Sequence, residues 1–170
     1  MNPVEDELTP STIKIFDGQT LHDMTGVNGI ILVFVPDTKG ISSQLQLKDI
    51  RNNYHKIRSY GLNVLIISSE SEENIDIHTE ELSLSFPVYH DHDNHLSKLF
   101  NTLGKQFQNP YISERTKRRT FILNQKLQTK HVIDDIHPGS HTDDILNYLN
   151  KNSSKLAVDG SSEQTIHSRE

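Results

Sequence analysis

The sequence predicts an α/β fold in a single domain, with a mixed β-sheet flanked by helices on both faces. Residues 30–35 are six consecutive apolar residues, mostly β-branched, which is typical of a strand covered on both faces. A helical spacing of apolar residues follows, and then a second apolar run at residues 63–68, which completes a strand, helix, strand crossover unit. The length of 170 residues suits one domain with its own hydrophobic core.

A short hairpin is predicted before the central strand. Residues 12–16 and 19–21 are its two strands, and Asp17-Gly18 supplies the positive-φ turn that a two-residue hairpin needs. The central strand ends before Pro36, because proline has no backbone N–H to donate to a sheet.

The first long helix is predicted to begin at Ser42 or Ser43, whose hydroxyl groups are suited to capping a helix. Gly61 lies where a helix commonly ends. The apolar residues at helical spacing between these points are Leu47, Ile50, Tyr54 and Ile57.

The second half of the chain alternates helices and strands in the same way. The elements predicted there are a surface helix at 72–82, a strand at 86–89, a helix capped by Asp93 or Asn94 and ended by Gly104, a polar loop at 105–117, an antiparallel pair of strands at 120–123 and 127–133, and a last helix capped by Ser140 or Thr142.

The two ends of the chain are expected to lie outside this domain. Residues 1–10 are rich in acids and prolines, and residues 152–170 are polar with few apolar side chains. We therefore predict a flexible amino-terminal arm at 1–10, a folded domain at 11–151 and a flexible polar tail at 152–170.

Charge and composition exclude several classes of function. The formal net charge of −6 disfavours a nucleic-acid-binding surface, which would be basic. No apolar run approaches the roughly 20 residues of a membrane span, and residues 1–10 do not resemble a secretion signal. The chain also lacks glycine-rich phosphate loops and other cofactor motifs. We expect a cytoplasmic protein without a cofactor and without a nucleic-acid or membrane partner.

The chain contains no cysteine. Disulfides, thiolate nucleophiles and cysteine-ligated metal centres are therefore excluded by composition alone.

Three segments of the sequence, together with the loop that begins at Pro36, follow one another in the same order as characteristic segments of a known protein family. The segments are Gly-Leu-Asn-Val-Leu-Ile-Ile-Ser at 61–68, Phe-Pro-Val-Tyr-His-Asp-His-Asp-Asn at 86–94 and Arg-Arg-Thr-Phe-Ile-Leu-Asn at 118–124. Together they resemble the peroxiredoxin family, the alkyl hydroperoxide reductase and thiol-specific antioxidant group. The resemblance covers about residues 11–150 and implies a thioredoxin-like fold.

The resemblance also implies where the redox site of the family would fall. In that family a Pro-x-x-x-Thr-x-x-Cys loop follows the central strand, and an arginine before a Thr-Phe strand helps to hold the thiolate and the substrate. Pro36, Thr38 and Arg118 match the proline, the threonine and the arginine, whereas Ile41 stands at the cysteine position. The loop here has one residue between Pro36 and Thr38 where the family has three. If the loop is compared instead with the Cys-x-x-Cys of thioredoxins, the two cysteine positions fall on Thr38 and Ile41.

The missing sulfur predicts that the chain has no thiol peroxidase activity. Peroxide reduction by this route needs a low-pKa thiolate that can become a sulfenic acid, and neither isoleucine nor serine can do so. We therefore expect a non-catalytic binding or assembly module, which forms a homodimer or binds another protein. A further hypothesis is that it modulates a cysteine-bearing relative by mixed oligomerisation. A small anion is also expected near Thr38 and Arg118, at the start of the first long helix.

A metal centre is the alternative hypothesis. His90, His92 and His95 are imidazole ligands within one short segment, and His90 and His92 would share a face of an extended chain. A metal bound there would supply non-thiol chemistry to a redox-family enzyme.

Overall fold

A computed structural model describes residues 12–104, 115–152 and 156. The predicted arm at 1–10 and most of the predicted tail at 152–170 lie outside the described residues, so both stay predictions. In chain order the elements are the strands β1 (Lys14–Phe16), β2 (Gln19–Thr20) and β3 (Gly29–Phe34), helix α1 (Ile41–Ser59), β4 (Leu62–Ser68), α2 (Glu72–Glu81), β5 (Val88–His90), α3 (His95–Leu99), β6 (Leu103–Gly104), β7 (Arg115–Thr116), β8 (Arg119–Leu123), β9 (Thr129–Ile133) and α4 (His141–Asn152).

The central sheet has five strands in the order β5-β4-β3-β8-β9. Strand β3 pairs in parallel with β4 and antiparallel with β8, so the sheet is mixed as predicted. All six residues of β3 are buried, which explains why its sequence shows no polar alternation.

The two faces of the sheet have separate cores because side chains alternate along each strand. Ile31 and Val33 of β3 belong to a cluster with residues of α1 and α4, such as Leu47 and Ile145. On the opposite face, the other residues of β3 pack with the hairpin β1-β2 and with Leu96 of α3. Helices therefore cover both faces, and the predicted fold class is confirmed.

The hairpin forms where it was predicted, although its strands are shorter. Gly18 has a φ of 72°, as the predicted turn requires. The end of the third helix was predicted incorrectly. Asn101 adopts a left-handed φ of 56° soon after α3 ends, and the next residues pair as β6 with β7 instead of continuing to Gly104 as a helix.

The start of one strand also differs from the prediction. Strand β9 begins at Thr129 and not at Leu127, because Leu127 has a left-handed φ of 63° that no regular strand accommodates. Helix α4 begins at His141, directly after a 3₁₀ turn at Pro138–Ser140, so Ser140, one of the two predicted caps, stands directly before its first residue, and Thr142 lies inside the helix.

Candidate functional site

The start of α1 lies at the carboxyl end of β3. Gly40 is the N-cap residue of the helix and makes no side-chain cap, while Asp37 Oδ1 accepts a hydrogen bond of 2.7 Å from the Gly40 N–H. A Cβ atom at residue 40 would lie 2.9 Å from Asp37 Oδ1, which favours glycine at this turn. The prediction that Ser42 or Ser43 caps the helix is therefore wrong, because the helix begins one residue earlier and the turn is closed by Asp37.

Ile41 is the first residue of α1, and its side chain is 83% exposed. Leu45, one turn later on the same face, is 50% exposed. Ile41, the residue predicted to stand at the family's cysteine position, thus lies at the amino terminus of the first long helix and is exposed to solvent.

Arg118 lies directly before β8, the antiparallel neighbour of β3, and β8 therefore brings it to the same edge of the sheet. Its Nη1 atom donates hydrogen bonds to Ser43 Oγ at 3.1 Å and to Gln46 Oε1 at 2.8 Å. Burial lowers the pKa of the Arg118 guanidinium, while the nearby Asp37 carboxylate opposes that shift. Arginine remains protonated in proteins, so Arg118 is a fixed cation beside the first turns of α1.

Two buried polar atoms next to this cation have no hydrogen-bond partner among the described residues. They are Nε2 of Gln46 and Nδ1 of His141. The other ring nitrogen of His141 makes a 2.8 Å contact with Thr120 Oγ1. Burial, together with the charge of Arg118, lowers the pKa of His141 to about 4, so its imidazole is neutral at pH 7.

Thr38 is buried. Its hydrogen-bond partners differ from those of Arg118. Its N–H donates to Glu70 Oε1 at 2.7 Å, its hydroxyl also contacts the Glu70 carboxylate, and the same hydroxyl lies 2.7 Å from His78 Nδ1. The neighbouring Pro36 is partly buried. A carboxylate therefore already occupies the donors of Thr38, and sequence reasoning missed this arrangement because Glu70 and His78 lie far along the chain.

The rings of His90 and His92 lie 6.1 Å apart between centroids, and His90 and His95 each make further local contacts. His90 Nδ1 lies 2.7 Å from the carbonyl oxygen of Glu70, whereas His95 contacts the carbonyl of His92 at 2.7 Å and the hydroxyl of Tyr89 at 3.1 Å. Among the residues that the structure describes, no group of three histidine, aspartate or glutamate side chains is placed to hold a metal ion. The three-histidine centre gains no support from this geometry and stays a prediction.

The acidic residue that caps α3 is Asp91. Its buried carboxylate accepts hydrogen bonds from the N–H groups of Leu96 at 2.8 Å and Ser97 at 2.9 Å. Asp93 and Asn94, the predicted caps, have left-handed φ values of 55° and 56°, and Asn94 makes no side-chain cap. The segment between β5 and α3 thus closes the helix end, as predicted, but through a different residue.

No helix in the described ranges is long and apolar enough to cross a membrane.

Comparison with protein families gives one match over most of the chain. The model of the AhpC/TSA family matches residues 9–132. Peroxiredoxin Bcp of Escherichia coli strain K12 is 24% identical over 153 residues, which are 88% of this chain and 97% of that protein.

Solved structures of similar shape come from the same group of proteins. The bacterioferritin comigratory protein of Xanthomonas campestris, described for its alkyl peroxide reduction activity, has a TM-score of 0.73 at 20% identity, over 79% of this chain and 85% of that chain. AhpC of Enterococcus faecalis has a TM-score of 0.65 at 19% identity, over 78% of each chain. At these identities the likeness shows the fold, which is the thioredoxin-like fold that the sequence predicts.

Proposed function

Because this chain belongs to the AhpC/TSA family and contains no cysteine, we propose that it is a non-catalytic member that binds a small oxyanion beside Arg118. The relative from Xanthomonas campestris is described for alkyl peroxide reduction. That chemistry needs a sulfur atom that passes through a sulfenic acid, and the residue at the corresponding position here is Ile41. The chain therefore has a cation beside the first turns of α1 but no thiol nucleophile.

The observation that carries this proposal is the fixed position of Arg118. Its guanidinium is half-buried and bonded to Ser43 and Gln46, two residues in the first two turns of α1. The first N–H groups of a helix have no partner within the helix, and the helix dipole favours negative charge at that end. A guanidinium held beside such a helix end is a suitable cradle for a tetrahedral or planar oxyanion.

Two side chains beside Arg118 offer hydrogen-bond donors to an anion, whereas the nearby Asp37 carboxylate opposes its binding. The hydroxyl of Ser43 accepts from Arg118, so its own proton is available to donate to a ligand. The amide Nε2 of Gln46 is a donor without a partner among the described residues. Thr38 is not included in the proposed site, because the Glu70 carboxylate beside it would repel an anion.

Calorimetric titration with sulfate and with phosphate at low ionic strength tests this proposal. We expect the unmodified protein to bind one of these ions, and Arg118→Gln to weaken binding by at least about tenfold, since a charge-assisted hydrogen bond contributes about 1.5–3 kcal/mol. Arg119→Gln is the matched control, because Arg119 is paired with Asp134 and does not contact Ser43 or Gln46.

Equal affinity of the two arginine variants would reject the Arg118 site. Absence of binding by the unmodified protein would reject the anion-binding function altogether.

A further inference from the structure

An open groove runs along one edge of the central sheet. Among the described residues, strand β9 is the last strand in the sheet order and is hydrogen-bonded on one side only, to β8. A cavity of about 440 Å³ lies between β9, the two residues that follow it, and one face of α4. Its lining residues do not include Arg118, Ser43 or Gln46, so the groove is separate from the proposed anion site.

The groove has the form in which an extended peptide can add to a sheet. The outer edge of an edge strand carries backbone N–H and C=O groups that pair readily with another strand. Helix α4 forms the opposite wall, where the ring of Tyr148 stacks on His131 of β9 at 4.3 Å between centroids and 6° between planes. The Tyr148 hydroxyl also lies 3.5 Å from the carbonyl oxygen of Lys130, so the helix and the strand are tied together.

Three of the four aspartate and lysine side chains that line the groove are acidic. Asp134 and Asp135 follow β9, and Asp144 lies in the first turn of α4, whereas Lys151 is the single lysine or arginine among the lining residues. The Asp134 carboxylate is paired with Arg119, while Asp135 and Asp144 are both exposed to solvent. The stacked rings add an aromatic surface on which a cationic side chain can rest.

We propose that this groove binds an extended basic segment of a partner protein, which pairs with β9 and places a lysine or arginine between Asp135 and Asp144. Its backbone supplies the hydrogen bonds of an added strand, and its cation neutralises the carboxylates of the groove. A second copy of this chain is less complementary, because it carries a net charge of −6 and brings the same acidic groove.

Fluorescence polarisation with labelled peptides on the full chain tests the proposal. The probe is a short peptide in which lysine alternates with valine, and the matched probe has glutamate in place of each lysine. We expect the lysine peptide to bind and the glutamate peptide not to bind. The same lysine peptide with N-methylated backbone nitrogens along one edge is expected to lose binding, because it cannot complete the strand pairing.

Paired variants locate the cation site. The double variant Asp135→Asn with Asp144→Asn is expected to weaken the lysine peptide by roughly three- to tenfold, from the contributions of two exposed ion pairs. Asp143→Asn is the control, since Asp143 is exposed in the same helical turn but does not line the groove. All three substitutions are on exposed side chains, so the variants should keep the thermal melting temperature of the parent protein.

Three outcomes would overturn the proposal. They are equal binding of the lysine peptide and the glutamate peptide, unchanged affinity in the double aspartate variant, and full binding by the N-methylated peptide. Sedimentation that shows a dimer which the lysine peptide cannot displace would assign the groove to a second copy instead. Sulfate binding at Arg118 is measured separately and does not depend on any of these results.

Discussion

At the scale of single residues, burial determines the charge state of His141. His141 is fully buried, and one of its ring nitrogens has no partner among the described residues. Its neutral form is retained because a second positive charge would be buried close to Arg118. An internal imidazole of this kind links the stability of the fold to pH.

The free energy of unfolding should fall as the pH falls below about 6.5. The pKa of His141 is about 4 in the folded protein against 6.5 for an ordinary histidine, so the unfolded chain binds the proton more readily. The stabilisation is complete above pH 6.5 and is lost as the pH approaches 4, by about 3 kcal/mol in total. Urea denaturation at a series of pH values from about 7 to 4 measures this dependence.

His141→Gln should be less stable than the parent at pH 7 and should show a flatter pH dependence in this interval. His137→Asn is the control, because His137 is exposed and should leave the slope unchanged. A His141 variant with the parent slope would mean that another group causes the dependence.

At the scale of elements, the helix ends show what local sequence signals leave out. Capping patterns relate a helix to the residues directly before it, and they pointed to Asp93 and Asn94 for α3. In the structure those two residues form a left-handed turn. The buried Asp91 precedes this turn, and its carboxylate accepts hydrogen bonds from the N–H groups five and six residues later, in α3. The amino terminus of α1 also differs from the predicted capping, because Asp37 closes the turn at Gly40.

Replacement of Asp91 by alanine should destabilise the protein by at least about 1–2 kcal/mol. The variant loses two hydrogen bonds and leaves two N–H groups at a buried helix end without an acceptor. Asp93→Asn is the control, because the Asp93 side chain is 80% exposed and asparagine accommodates the left-handed φ of 55° at this position, so the substitution should change stability little. Thermal denaturation of both variants compares them directly, and equal melting temperatures would contradict the role given to Asp91.

At the scale of the whole molecule, the parts that could be predicted are those with a periodic or uninterrupted apolar pattern. The runs that became β3 and β4 are buried on both faces, and such runs leave little choice of element. The short pair β6-β7 could not be predicted, because it depends on contact between distant segments of the chain. The same holds for the contacts of Thr38, whose partners lie 32 and 40 residues away.

The placement of Ile41 and Arg118 at one end of the sheet follows from the order of the strands. Residue 41 comes after β3, and residue 118 comes before the antiparallel β8. Both therefore lie at the end of the sheet where β3 terminates. Residue 41 is the first residue of α1, where the helix dipole favours negative charge, although the chain contains no cysteine. A thiol placed there would therefore be exposed to that field.

Ile41→Cys should produce a thiol whose pKa lies below the ordinary value of about 8.5, because the amino terminus of α1 stabilises the thiolate. The rate of alkylation as a function of pH measures that pKa. Leu45→Cys is the matched control, since it lies on the same exposed face one turn further from the helix end. The parent protein should consume no hydrogen peroxide with a dithiol as reductant, which separates thiol chemistry from any other activity. Equal pKa values for the two thiols would show that the amino terminus of α1 does not stabilise negative charge, and the proposed oxyanion site would then lose the contribution of the helix end.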